Sequence, residues 1–250
     1  MERWLIWDFD GTLAYRDQGW SGAVLEVLRR EVPGCGATCE EVSAFLQSGF
    51  PWHTPERGHP ELGTADAWWA VLVPVFEQAI CGVLRDGMTR ERARKLAERV
   101  RAVYLEAKAF RVYSDTVPAL EALADCGWRH ALFSNNVPEL EALLEQLDLR
   151  RHFAHVFNSA MIGFEKPHAE AFAYVLASLG CQSKAATEKR EGVWMIGDSI
   201  TADVAGATAA GIPSILVRRH HAAAKHYCET LTEIAGVVGN RISMTDNIII

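Results

Sequence analysis

The chain opens with a compact apolar run, Trp4-Leu5-Ile6-Trp7, that breaks into Asp8-Phe9-Asp10-Gly11-Thr12-Leu13. An apolar run closed by a glycine turn predicts a buried strand. Strand side chains alternate, so Asp8 and Asp10 leave its end toward the same side. The spacing then turns helical and stays so from residue 15 to residue 112. Ser21 predicts the cap of a helix through Val24, Leu25 and Leu28, which Pro33-Gly34 ends. Thr38 and Glu41 have capping-box spacing ahead of Val42, Phe45 and Leu46, with Gly49 suiting the end. Thr64 opens a helix facing Trp68, Leu72, Phe76 and Ile80 inward, and Pro74 inside it predicts a kink or a division. Thr89 opens a fourth, with Leu96, Val100, Val103 and Ala107 inward. The Pro- and Gly-rich stretch 49–63 is a long loop, a kind that often carries function.

From residue 113 the pattern alternates. Helices are predicted over 116–125, 138–147 and 169–179, then a small-residue helix to about Ala210, and a last one over 221–235. Strands are predicted over 128–134, 155–159, 193–197 and 213–218, with 181–192 a polar loop. This alternation predicts an α/β fold: a doubly wound parallel sheet that binds ligands at the C-terminal ends of its strands. The helical block interrupts it after strand one. The expected division is a core of 1–14 and 113–250 with an inserted helical cap of 15–112, crossed near 14–16 and 110–114.

Composition narrows the classes. The 250 residues are 49% hydrophobic and 23% charged, as in a soluble globular protein. A net charge of −7 disfavours nucleic acid or an anionic membrane as partner. No apolar stretch is expected to span a bilayer, and the N-terminus does not resemble a signal peptide, so the expected location is cytoplasmic. Six scattered cysteines read as reduced, and the lone Cys35/Cys39 pair does not predict a zinc site.

The chemistry gathers at strand ends. Two converging carboxylates repel unless a cation or shared proton neutralises them. Ser134-Asn135-Asn136 ends the second core strand with a hydroxyl and amides suited to an anion. Lys166-Pro167 follows the third strand, and Asp198-Ser199-Ile200-Thr201-Ala202-Asp203 follows the fourth.

Together Asp8-Phe9-Asp10-Gly11-Thr12-Leu13, Ser134, Lys166 and Asp198…Asp203 resemble the four motifs of the haloacid dehalogenase superfamily. The helical insert is similar to that family's C1-type cap. The resemblance implies a Rossmann-like core and an Mg²⁺-dependent phosphatase that hydrolyses a small phosphorylated metabolite through an aspartyl-phosphate. It implies Asp8 as nucleophile and Asp10 as acid/base, with Mg²⁺ held by Asp8, Asp198 and the Asp10 carbonyl. By the same resemblance Lys166, Ser134, Asn135, Gly11 and Thr12 would hold the phosphoryl oxygens, and Asp203 would orient the shell or Lys166. An acid two residues after the nucleophile favours phosphate esters over haloacids. A phosphosugar mutase of the β-phosphoglucomutase type and a non-catalytic phosphate-sensing scaffold stay open as alternatives.

Trp52, His53, Arg57 and His59 of the long loop are candidate specificity residues if that loop reaches over the crevice. His220, His221 and His226 read as a solvated segment, and Ile248-Ile249-Ile250 has no assigned place. Substrate identity and oligomeric state are not legible.

Overall fold

The structure, a computed structural model, describes residues 2–85, 87–181 and 192–239. The polar loop after Cys181 and the Ile248–Ile250 tail lie outside those residues, the loop except for its end.

β1 (Arg3–Trp7) is the expected first strand. β2 (Ala14–Arg16) pairs antiparallel with β3 (Phe110–Val112). Between them lie α1 (Gly19–Glu31), α2 (Cys39–Ala44), α3 (Ala65–Leu84) and α4 (Arg90–Tyr104). The Thr38/Glu41 capping box is formed, and Thr64 and Thr89 accept N-cap hydrogen bonds from Ala67 and Arg92. Ser21 does not cap α1. Gln18 precedes that helix with φ 59°, and the Ser21 hydroxyl donates back to its carbonyl at 2.8 Å. Pro74 does not divide α3, because buried Leu72 and Phe76 hold both sides of it in one apolar core. At 20 residues and mean hydropathy 1.6, α3 is long and apolar enough to cross a membrane, contrary to the sequence expectation. Here its inner face packs on α4, and such helices are common as core helices.

Past β3 run α5 (Thr116–Asp125), β4 (Trp128–Ser134), α6 (Leu140–Gln146), β5 (His155–Asn158), α7 (Ser159–Ile162) and α8 (Ala169–Ser178). β6 (Val193–Gly197) leads into a wide π-type turn, Ile200–Ala205, and α9 (Gly206–Ala209). The chain then forms β7 (Ser214–Val217), β8 (Tyr227–Cys228) and α10 (Ile234–Gly239). The single helix expected over 221–235 is not formed. Tyr227 and Cys228 pair with β7, and Thr230 with Glu233 caps a later turn, so the helical spacing of Tyr227, Leu231 and Ile234 is coincidental.

Six parallel strands stack in the order β5-β4-β1-β6-β7-β8. β1 is central and buried on both faces. Trp4 and Ile6 meet Phe133, Phe172 and Met195, while Leu5 and Trp7 join the cluster that continues into the helical segment. The ends of β1, β4 and β6 therefore lie side by side under that segment.

Candidate active site

Asp8 stands one residue past β1, and its Oδ1 accepts from Ser134 Oγ at 3.0 Å and Lys166 Nζ at 2.8 Å. Its Oδ2 accepts from Thr12 Oγ1 at 3.3 Å. Lys166 is 2% exposed and also donates to Asp203 Oδ1 at 2.6 Å and to the Phe133 carbonyl at 2.8 Å. All three ammonium donors are thus used. Burial opposes its charge, but Asp203 and Asp8 outweigh that and hold the ammonium above its usual range.

Asp10 accepts from Asn136 Nδ2 at 2.7 Å. Burial, then the charge of Asp8, pushes its carboxyl up to about 7, while the Asn136 bond pulls the other way. Burial and Asp8 likewise push Asp198 up to about 6. Gly11 has φ 77°, and a Cβ there would lie 2.4 Å from Asp198 Oδ2. Only glycine allows that turn so near the carboxylate.

Asp8, Asp198 and Asp203 offer carboxylate oxygens within 4.8 Å of one another, a hard-oxygen set that suits a divalent cation. The raised carboxyls fit the same need, since a cation offsets their mutual repulsion. Asp203 is the most deeply buried of the three, and both its oxygens are engaged. Its Oδ1 serves Lys166 and its Oδ2 accepts from Ser199 N at 3.0 Å. Among the described residues no histidine joins a group of this kind; His220 packs against Tyr227 and His226 against Trp194.

These groups open on a cleft of about 740 Å³, within the size range of small-molecule sites. Asp8, Asp10, Gly11, Ser134, Asn135, Lys166, Asp198 and Asp203 all line it. Thr12 does not; it is fully buried and braces Asp8 from behind. Asn135 holds Lys166 through both backbone groups, donating to its carbonyl at 2.9 Å and accepting from its N–H at 2.7 Å. Of the long loop, Trp52 lines the cleft. His53 is exposed and packs on Phe50 and Trp52, Arg57 is exposed, and His59 is buried against Glu165. Asn136, the third member of Ser134-Asn135-Asn136, lines the cleft as well, and so do Arg16, Trp20, Tyr104 and Arg219, which carry no local signal in the sequence.

A family model for haloacid dehalogenase-like hydrolases matches residues 3–211. The phosphoserine phosphatase of Thermus thermophilus is 31% identical over 86% of this chain and 88% of its own length. The ribulose-1,5-bisphosphate 5-phosphatase of Halopiger xanaduensis is 28% identical, covering 85% and 83%. In fold, the chain is similar to the hydrolase YfnB of Bacillus subtilis bound to magnesium, with TM-score 0.69 and 18% identity over 95% and 98% of the two chains. A parallel sheet with its acids, lysine and serine gathered at the strand ends, matched by the family model over most of its length, places this chain among the haloacid dehalogenase-like hydrolases.

Proposed function

We propose that this enzyme, a phosphoric monoester hydrolase of its family, is Mg²⁺-dependent and acts on a small phosphorylated metabolite through an aspartyl-phosphate on Asp8. The observation that carries the reading is the pairing of two acids in different surroundings. Asp8 accepts hydrogen bonds from Ser134, Thr12 and Lys166 at the end of β1. Asp10, which lines the same cleft, is pushed up to about 7. One acid is ready to attack and the other to carry a proton.

In this scheme Asp8 attacks phosphorus and Asp10 protonates the leaving oxygen, then takes a proton from the water that releases phosphate. Ser134 and Lys166 bind the equatorial oxygens, and Asn135 fixes the lysine's backbone. Asp8, Asp198 and the Asp10 carbonyl would hold Mg²⁺, which supplies charge neutralisation between carboxylate and phosphoryl group. Asp203 positions Lys166. Residues 1–14 and 113–250 form the catalytic core and 15–112 the cap, with β2 and β3 as its two stems. Trp52 is the specificity residue of the long loop. A cytoplasmic location suits such a substrate.

The test is a panel of phosphomonoesters assayed with Mg²⁺ and with chelator, against Asp8→Asn. Full turnover by that variant, or equal turnover in chelator, overturns the mechanism. Asp10→Ala is expected to slow poor leaving groups most and to leave Mg²⁺ affinity largely intact. Loss of affinity equal to that of Asp198→Ala overturns the assignment of roles.

A further inference from the structure

We infer that Arg16 selects the alcohol half of the substrate by binding a second anionic group, a carboxylate or a non-transferred phosphoryl group, that this half carries. The inference rests on the phosphatase reading above and adds a residue to it.

Arg16 ends β2, where the chain passes from the sheet into the helical segment. Its side chain is 4% exposed and lines the cleft together with Asp10, Trp20 and Tyr104. One terminal nitrogen donates to the Gly19 carbonyl at 3.1 Å, and the other to Glu26 at 3.2 Å and, more weakly, to the Val103 carbonyl at 3.5 Å. The Nε–H is buried and has no acceptor among the described residues. Glu26 does not belong to Arg16 alone, since it also pairs with Arg30. A buried guanidinium is therefore left with an unmet donor and a shared counter-charge, a state that native structures rarely keep without a reason.

The transferred phosphoryl group does not supply that reason, because Ser134 and Lys166 serve it. The guanidinium is also pre-organised. It lies 5.8 Å from the centre of the Tyr104 ring, and that ring stacks on Trp20 at 3.8 Å. A planar fork held rigid beside aromatic walls suits carboxylate or phosphoryl oxygens, and little side-chain freedom is lost on binding.

Two matched pairs of probes test this: phosphoglycolate against ethyl phosphate, and fructose 1,6-bisphosphate against fructose 6-phosphate. The doubly anionic member of at least one pair is expected to have a kcat/KM about 10–100-fold higher, mainly through KM, as for a hydrogen-bonded charge. Whichever pair shows the preference identifies the anion. Arg16→Gln should bring the ratio toward one, and Arg16→Lys should keep part of it. Ratios at or below one for both pairs in the unaltered enzyme overturn the inference. So does an equal loss for both members in Arg16→Gln. A second readout needs no turnover. Phosphoglycolate should raise the Tm of the Asp8→Asn protein more than ethyl phosphate does, and adding Arg16→Gln should abolish the difference. If no ester is hydrolysed, the phosphatase reading has failed, and the Tm difference still decides Arg16. If Arg16→Gln does not fold, the ratios in the unaltered enzyme and the Tm shifts of Asp8→Asn decide alone.

Discussion

His59, in the loop ahead of α3, and Glu165, the residue before Lys166, share a buried hydrogen bond of 3.0 Å between Nε2 and Oε1. The His59 N–H also donates to the Gly163 carbonyl at 2.7 Å. Gly163 has φ 82°, and a Cβ there would meet Pro60 at 2.9 Å. The loop of the helical segment is thus seated on the loop that carries Lys166. Glu165 is fully buried, and its second oxygen has no partner among the described residues.

Removing His59 leaves that carboxylate buried alone. His59→Ala is expected to cost about 3 kcal/mol and to lower Tm by about 6–12 °C, while Glu165→Gln, which keeps a hydrogen-bonding group, costs less. The Glu165 bond raises the His59 pKa. The pair's contribution is therefore complete below the ordinary histidine value and is lost as pH rises through the raised one. Calorimetry across this range checks both points; an unchanged Tm in His59→Ala refutes the first.

Asn136 tunes Asp10. Its hydrogen bond holds the Asp10 carboxyl lower than burial and Asp8 alone would put it. Asn136→Ala should therefore raise that pKa further. The limb of the pH–rate profile on which Asp10 loses its proton should move to higher pH, with a fall in kcat. A profile that drops in height without moving would give Asn136 a packing role only.

Stability without metal should depend on pH in the sense opposite to ordinary acid denaturation. Asp10 and Asp198 are raised to about 7 and about 6 in the folded chain. Raised carboxyls bind protons more tightly when folded, so their contribution is complete below about pH 4 and is lost as pH rises through those values. Chelated protein should lose Tm between about pH 5 and pH 8, and Mg²⁺ should restore more of it at the upper end. A restoration that does not vary with pH contradicts the assignment.

Gly11→Ala places a methyl group against Asp198 in a backbone conformation that alanine resists. Mg²⁺ affinity should fall at least tenfold, a loss of about 1.4 kcal/mol, measured by titration calorimetry. Unchanged affinity would mean that Asp198 is free to move aside.

Much of the core is written locally. β4, β6 and α5 run over the residues that the spacing predicts, because buried parallel strands read as continuous apolar runs and helices carry their own stops. The convergence of Asp8, Ser134, Lys166 and Asp198 also follows from sequence, since strand ends in a parallel sheet share one edge and chemistry placed after several strands must meet there. Other features have no local signature. β8 exists only because Tyr227 and Cys228 find the edge of β7. Asn136 reaches Asp10, His59 reaches Glu165, and Arg16 settles between Glu26 and Tyr104 through packing across the chain. Over β4, β6 and α5, local pattern determines which element a residue joins and which side it faces. A side chain's hydrogen-bond partner depends on what distant segments bring within about 3 Å, and only the tertiary structure decides that.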